Sequence, residues 1–338
     1  MTKKILVIRI GRAGDMVMIT PALLAILDNY PEHEVHILTS QDGQRVLSGF
    51  DSRVTKIYIY EKRRVKTILA RLIQLKDIQK TGYEYIFNFE LKSSYKRIYK
   101  NSNAKVFELD ESETQLNYAK RCLNVVQKSI ASEISNYWDW LPVTDDGVEK
   151  ARIQLSDKGI CDTDFVIGIH PSFSGSKKGL FSSKNRNYLR EWPAEYFAEV
   201  INMLAKYSDE NGLNIKIVID LLPDEKMIGE RIVEDAGNNV YLCIMKPDFQ
   251  RYKALIKRMN LLITPDTGPM HIAAALGTQI ICLFSHKSPD DCGPFMNPED
   301  YTALRSKEYG DPGLGLSAIK PEHVFEACKK YLPVKKTS

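Results

Sequence analysis

The sequence predicts an α/β protein built from doubly wound, largely parallel sheets in two domains. Three observations predict it. Short apolar runs of the buried parallel-strand kind recur at residues 5–10, 35–39, 165–170, 261–264 and 279–284. Helical segments alternate with them, which implies right-handed crossovers within each sheet. A chain of 338 residues is also long enough for two ordinary domains. The expected division is 1–160 and 161–338. The connection is expected in the aromatic stretch 136–146, where Tyr137-Trp138-Asp139-Trp140-Leu141-Pro142 gives way to polar residues.

Residues 5–10 open the chain as a buried strand. The turn Gly11-Arg12-Ala13-Gly14-Asp15 follows, and then a helix. That helix starts either near Asp15, with a kink, or at Thr20-Pro21, a cap residue followed by a first-turn proline. Gly11-x-x-Gly14 lacks the third glycine and the ribose-binding acid of a dinucleotide fingerprint. Residues 35–39 and 57–60 read as strands. Residues 62–80 read as an amphipathic helix, with Val65, Ile68, Leu69, Leu72, Ile73 and Leu75 on one face and Lys/Arg on the other. Another strand is expected at 85–89. The segment 93–100 interleaves Tyr95 and Tyr99 with Lys96, Arg97 and Lys100. Nucleic-acid sites share that pattern, but three basic positions are too few to carry the reading.

The second half begins with the strand 165–170. A loop rich in Ser, Lys, Gly and Asn then runs to Tyr188, long enough to expect a functional role. A helix opens at Arg190-Glu191-Trp192-Pro193 and continues to about Tyr207. Strands at 215–219, 240–244, 261–264 and 279–284 alternate with helices at 224–236, 249–258 and 270–276. A terminal helix follows at 322–331.

Composition narrows the class. Six scattered cysteines, without a CxxC pair, argue against a zinc site or a disulfide framework and for a reducing compartment. The first apolar run is too short for a signal peptide, and no run approaches the ~18 apolar residues of a spanning helix. A cytoplasmic protein is expected. The net charge is only +4, yet residues 56–100 hold twelve Lys/Arg against four Asp/Glu, a local excess of +8. This is either a solvated face or the footprint of an anionic partner.

The most informative stretch is Leu261-Leu262-Ile263-Thr264-Pro265-Asp266-Thr267-Gly268-Pro269-Met270-His271, continuing through three alanines to Gly277. It reads as a strand, a polar turn and a helix. Asp266 and Thr267 are capping types, and Pro269 suits the first helical position. Such a unit presents N–H groups and a positive helix end at the carboxyl edge of a sheet, where α/β proteins hold phosphates. The alternative is a capped helix without a ligand. An acid, a hydroxyl, a glycine and a histidine within six residues favour the ligand.

Asp266-Thr267-Gly268-Pro269-Met270-His271-Ile272-Ala273-Ala274-Ala275-Leu276-Gly277 closely resembles the signature of the ADP-heptose:lipopolysaccharide heptosyltransferases, glycosyltransferase family 9. Gly14-Asp15 followed by apolar residues and Pro21, Trp192-Pro193, and Ser288-Pro289…Gly293-Pro294 match by position. The resemblance implies the GT-B architecture, two Rossmann-like domains facing across a cleft. It implies an N-terminal acceptor domain and a C-terminal nucleotide-sugar domain. The implied activity is inverting transfer of a heptose from ADP-heptose to a lipopolysaccharide core precursor.

Such a transfer must stabilise a leaving diphosphate, hold the donor and deprotonate the acceptor hydroxyl. The amides of Thr267, Gly268 and Met270, with the Thr267 hydroxyl, are the expected diphosphate contacts. By resemblance, Arg190 neutralises the donor phosphates where the family usually has Lys. Arginine is a bidentate phosphate partner, so the exchange is chemically tolerable. By resemblance too, Ser172 and Ser174 contact phosphates, Glu225 lies near the ribose or sugar, and Asp266 holds sugar hydroxyls. Loop capping for the serines and a favourable helix-start charge for Glu225 are the simpler alternatives. The chain departs from the family at Asp220-Leu221-Leu222-Pro223, where glycine commonly follows the strand. His271 either packs within its helix or faces the diphosphate.

Asp15, on the glycine turn at the carboxyl edge of the first sheet, is the candidate general base. Arg12, Lys62, Arg63 and Arg64 are the candidate acceptor contacts. Asp162-Thr163-Asp164 has a metal-binding spacing but precedes its strand, so no metal and no cofactor are expected, the nucleotide sugar being a substrate. The expected partners are that donor, a lipid-linked or oligosaccharide acceptor and the inner-membrane surface, reached from the cytoplasmic side; nucleic acid is not among them. The alternatives are a family 9 transferase using another nucleotide sugar or glycan acceptor, a sugar-nucleotide epimerase, and a non-catalytic nucleotide-sugar-binding protein.

Overall fold

The structure, a computed structural model, describes residues 2–60, 68–172 and 188–333. The chain forms two compact units, Met1–Pro142 and Val143–Ser338.

The first unit runs β1 (Lys3–Ile8), α1 (Ala13–Val17), α2 (Thr20–Asn29), β2 (His33–Thr39), α3 (Gln41–Leu47), β3 (Val54–Ile59), α4 (Ile68–Lys80), β4 (Tyr85–Asn88), a 3₁₀ turn at Ser93–Ile98, β5 (Lys105–Glu108) and α5 (Tyr118–Gln127). Its five strands lie in the order β3-β2-β1-β4-β5, with every pairing parallel. The central strand β1 carries Ile5, Leu6, Val7 and Ile8 with no exposed surface, because helices cover both faces of a parallel sheet.

The first strand ends two residues earlier than expected. Ile10 N–H leaves the ladder to donate to Glu90 Oε1 at 2.6 Å. Both expected helix starts occur, since α1 begins beside Asp15 and α2 at Thr20. The break between them is closed by Thr20 Oγ1 donating to Val17 O at 2.7 Å. Of the expected apolar face of α4, Leu75 packs against the core while other members lie outward. Ile78 is buried, whereas Leu72 and Ile73 are 51% and 60% exposed. Tyr95 and Tyr99 are buried, so the aromatic–basic alternation at 93–100 offers no stacking surface.

The second unit runs α6 (Asp145–Ser156), β6 (Phe165–Ile169), a 3₁₀ turn at Tyr188–Arg190, α7 (Ala194–Asn211), β7 (Ile215–Leu221), a 3₁₀ turn at Pro223–Glu225, α8 (Lys226–Ala236), β8 (Tyr241–Ile244), α9 (Phe249–Arg258), β9 (Leu261–Pro265), α10 (Gly268–Leu276), β10 (Gln279–Phe284), α11 (Pro289–Cys292), β11 (Tyr301–Arg305) and α12 (Pro321–Cys328). Its six strands are ordered β11-β10-β9-β6-β7-β8, again all parallel.

The division at Pro142 lies inside the expected connection 136–146 but earlier than the expected boundary at 160, because α6 packs on α9. Gly147 permits that approach, since a Cβ there would stand 2.6 Å from Gln250 O. Arg251 of α9 forms a bidentate pair with Asp220 of β7, at 3.0 and 2.9 Å, and Gln154 of α6 donates to Asp220 Oδ1 at 2.9 Å. All three side chains are buried. Burial pushes the Asp220 carboxyl up, and the Arg251 guanidinium only partly offsets it. The preceding segment belongs to the first unit: Trp140 N–H donates to Thr20 Oγ1, and the Trp140 ring packs edge-on against Phe50. No helix among the described residues is long and apolar enough to cross a membrane.

Candidate active site

The carboxyl ends of the parallel strands carry the candidate residues of each unit. In the first unit, Asp15 is the third residue of α1, just past the end of β1. Arg9 Nη2 donates to Asp15 Oδ1 at 2.9 Å, and Arg12 N–H donates to Oδ2 at 2.8 Å. Gly11 is required for this packing, because a Cβ there would lie 2.4 Å from the Asp15 Cβ. The Asp15 side chain remains 36% exposed. Each carboxylate oxygen has two lone pairs, so each keeps capacity to accept a further hydrogen bond.

Arg9 is itself held on three sides. Glu90 Oε1 lies 3.5 Å from Nη1, and the guanidinium sits 4.5 Å from the centre of the Tyr118 ring. Burial draws the Arg9 pKa down, but Tyr118, Asp15 and Glu90 raise it by more. Its charge is therefore permanent. Glu90 is ordered by its own N–H donating to Asn88 Oδ1 at 3.1 Å. Arg12 is exposed and reaches Asp15 through its backbone. Lys62, Arg63 and Arg64 lie outside the described residues.

In the second unit the expected strand–turn–helix is present, and Gly277 ends α10 in the left-handed conformation at φ 72°. Thr267 occupies the cap position, but its hydroxyl turns back to Pro265 O at 3.2 Å and caps no helix N–H. Pro269 is the second helical residue, not the first. Met270 N–H donates to Thr267 O, and its side chain is fully buried, so Met270 packs the core. That leaves the amides of Thr267 and Gly268 as the turn's candidate donors to an anion. His271 is 5% exposed, which favours its packing role.

Arg190 is brought to this turn. Its Nη2 donates to Asp266 O at 2.6 Å and lies 3.8 Å from Asp266 Oδ2. The anchor is Trp192, which is fully buried, donates through Nε1 to Ile319 O at 2.8 Å and meets the Phe197 ring edge-on. Gly315, at φ 55°, lets the chain pass against Leu189; a Cβ there would strike Leu189 O at 2.3 Å.

Ser172 and Glu225 also meet. Ser172 Oγ donates to Glu225 Oε1 at 2.7 Å, and Leu222 N–H donates to Oε2 at 3.1 Å. His170 Nε2 lies 3.0 Å from the same Ser172 oxygen, and Tyr252 OH lies 3.4 Å from His170 Nδ1. The serine proton is committed to Glu225, so His170 must donate from Nε2 and accept from Tyr252 at Nδ1. Burial lowers the His170 pKa to about 4, with Glu225 opposing, which keeps the ring neutral as this chain of donors requires. Ser174 lies outside the described residues, as do Lys177, Lys178, Lys184 and Arg186 of the same loop.

Sequence reasoning missed Arg9, Glu90, His170 and Tyr252. A charge inside an otherwise apolar strand run signals a buried carboxylate partner, so Arg9 could have been found. His170, the only titratable side chain in its run, gave a weaker signal. Tyr252 gave none.

Two parallel doubly wound units, the second holding a phosphate-type turn beside an arginine, define a protein of the GT-B class. Residues 88–314 match the model of glycosyltransferase family 9 (heptosyltransferase). Over 320 residues the chain is 22% identical to the lipopolysaccharide core heptosyltransferase OpsX of Haemophilus influenzae, covering 92% of this chain and 88% of that one. A family 9 glycosyl transferase from Veillonella parvula superimposes with a TM-score of 0.80 at 22% identity, covering 97% of each chain. Escherichia coli heptosyltransferase WaaC with ADP gives 0.73 at 14%, covering 97% of this chain and 100% of that one. The chain belongs to glycosyltransferase family 9, the heptosyltransferases, and is a glycosyltransferase.

Proposed function

We propose that this enzyme transfers a heptose from ADP-heptose to a lipopolysaccharide core acceptor, with inversion and without a metal ion. The observation that carries the reading is the bond from Arg190 to the Asp266 turn at the N-terminus of α10. It sets a guanidinium beside a positive helix end whose cap residue turns its hydroxyl elsewhere. Both would stabilise a departing diphosphate, supplying the charge that a metal supplies in other transferases. WaaC, solved with ADP, supports the choice of nucleotide.

In the proposed reaction the acceptor oxygen attacks the anomeric carbon from the face opposite ADP. The new C–O bond forms as the bond to the β-phosphate oxygen breaks, and the acceptor proton passes to Asp15. The good leaving group makes so weak a base sufficient. Glu225, held by Ser172, accepts hydroxyl donors from the ribose or sugar, as does Asp266. Arg12, Lys62, Arg63 and Arg64 receive the acceptor, whose lipid-linked form brings the enzyme from the cytoplasm to the inner face of the inner membrane.

A thermal-shift panel of nucleoside diphosphates and nucleotide sugars, with and without chelator, tests the reading. Selective stabilisation by ADP and ADP-heptose, unchanged by chelator, is expected. Selective stabilisation by UDP or GDP compounds would move the enzyme to another donor within the family.

A further inference from the structure

We propose that the outward face of α4 and the adjoining 3₁₀ turn Ser93–Ile98 form a docking surface for an anionic phospholipid bilayer. The helix packs against that turn. Leu72 and Ile73 on α4, with Leu91 just before the turn, are 51%, 60% and 44% exposed. Around them stand Lys76, Lys80, Lys92, Arg97 and Lys100, all exposed. None of these five is ion-paired with another described residue.

The three described acids of the segment 56–100 are each engaged with another partner. Asp77 is paired with Lys56 and bonded by Tyr58, Glu84 with Lys3 and His33, and Glu90 with Arg9. Among the described cations of the segment, Lys56 and Lys96 are the ion-paired ones, Lys96 with Glu108 at 2.9 Å.

Exposed aliphatic side chains are common singly, but here Leu72 and Ile73 are adjacent and stand among cations without ion pairs to described residues. Aliphatic tips set among lysines are what an interfacial helix offers to headgroups and acyl chains. A nucleic acid would need exposed rings to stack on, and here Tyr95 and Tyr99 are buried. Position supports the bilayer too. Leu91 and Lys92 follow the carboxyl end of β4, which pairs with β1, and Asp15 follows the carboxyl end of β1. Leu91 and Lys92 therefore share the sheet edge of the candidate base, and α4 runs back from the end of β3 toward the start of β4. The inference deepens the proposed function, on which it rests for the reason to dock: a lipid-borne acceptor.

Co-sedimentation of the full chain with vesicles tests it. Binding to phosphatidylglycerol-containing vesicles, weak binding to pure phosphatidylcholine, and release by high salt are expected. Leu72→Ser/Ile73→Ser should weaken vesicle binding at least tenfold, since even partial burial of two aliphatic side chains contributes that much. Lys76→Gln/Lys80→Gln, which leaves the apolar tips in place, should weaken it as well. Both variants should keep the wild-type melting temperature and ADP affinity. Equal binding to both vesicle types, binding to neither, tighter retention on single-stranded RNA, or unchanged binding by both folded variants would overturn the proposal. If vesicles fail while ADP binds, the docking surface falls and the donor reading stands; if vesicles bind while ADP does not, the reverse holds.

Discussion

Arg9 Nη2 lies 2.9 Å from Asp15 Oδ1, while the Arg12 amide holds Oδ2. The pair orients the carboxylate, and the accepting capacity left on its oxygens fits a base. Asp15→Asn keeps one acceptor oxygen for these two donors, sets its NH2 against the other, and loses the base. The expected loss in kcat is about 10²–10⁴-fold, the usual worth of positioned proton transfer. ADP affinity should stay within about twofold, since no donor contact is assigned to Asp15. Steady-state kinetics beside calorimetric ADP titration check both halves.

Arg190 joins the chain ahead of α7 to the Asp266 turn, and its proposed role is charge-assisted bonding to phosphate. Arg190→Ala should weaken ADP binding about 10- to 100-fold, in line with ~1.5–3 kcal/mol for a hydrogen bond to a charged group. Arg190→Lys should recover part of this, because lysine keeps the charge and loses the planar fork. AMP, lacking the second phosphate, should be much less sensitive to the substitution. Equal losses for ADP and AMP would place Arg190 elsewhere on the nucleotide.

The Tyr252–His170–Ser172 chain ends on Glu225, so under the proposed function His170 and Tyr252 are positioning residues for donor binding. Tyr252→Phe removes one hydroxyl from a buried ring without changing its shape. It should raise KM for the donor severalfold and leave kcat nearly unchanged. Ser172→Ala should do the same more strongly, since it removes the bond to Glu225 itself. A fall in kcat at constant KM would contradict this assignment.

His36 and His170 both have pKa values lowered to about 4, in each case chiefly by burial; Lys4 and Lys56 add to the effect at His36. In the unfolded chain they return to the ordinary value of about 6.5. Unfolded chains therefore bind protons that the native state refuses. The stability contributed is complete above about pH 6.5 and is lost as pH falls toward 4. His36→Phe should flatten the decline of unfolding free energy across that window by up to one proton, or about 1.4 kcal/mol per pH unit. Urea unfolding at stepped pH measures the slope.

The Asp220–Arg251 pair ties β7 to α9, and Arg251 Nε has no partner among the described residues. Asp220→Ala leaves a buried guanidinium without its counter-charge and should cost about 3–5 kcal/mol in denaturant unfolding. Replacing both members with apolar residues, as Asp220→Leu/Arg251→Met, should cost much less than the single change.

The parts of this molecule legible in its sequence are those governed by local chemistry. The turn from Asp266 to Gly277 combined apolar strand, capping residues, proline and terminal glycine, and α9 follows residues 249–258 as expected. The edge strands β5 and β11 were not legible, being four and five residues long and partly polar. Helix α6 was hidden in an expected linker, although Thr144 caps it through Gly147 N–H. Helical spacing showed that α4 is amphipathic but not which face the core takes. The longer omissions are non-local: Glu90 meets Arg9 from the far end of a crossover, and Glu225 reaches Ser172 from another strand end. No spacing rule within one segment announces such pairs.

The most direct measurement is a crystal structure of the enzyme with ADP. The account predicts both phosphates at the amides of Thr267 and Gly268, with the Arg190 guanidinium bonded to them and the ribose near Glu225. Diphosphate density bound away from that turn, with Arg190 unchanged against Asp266, would contradict it.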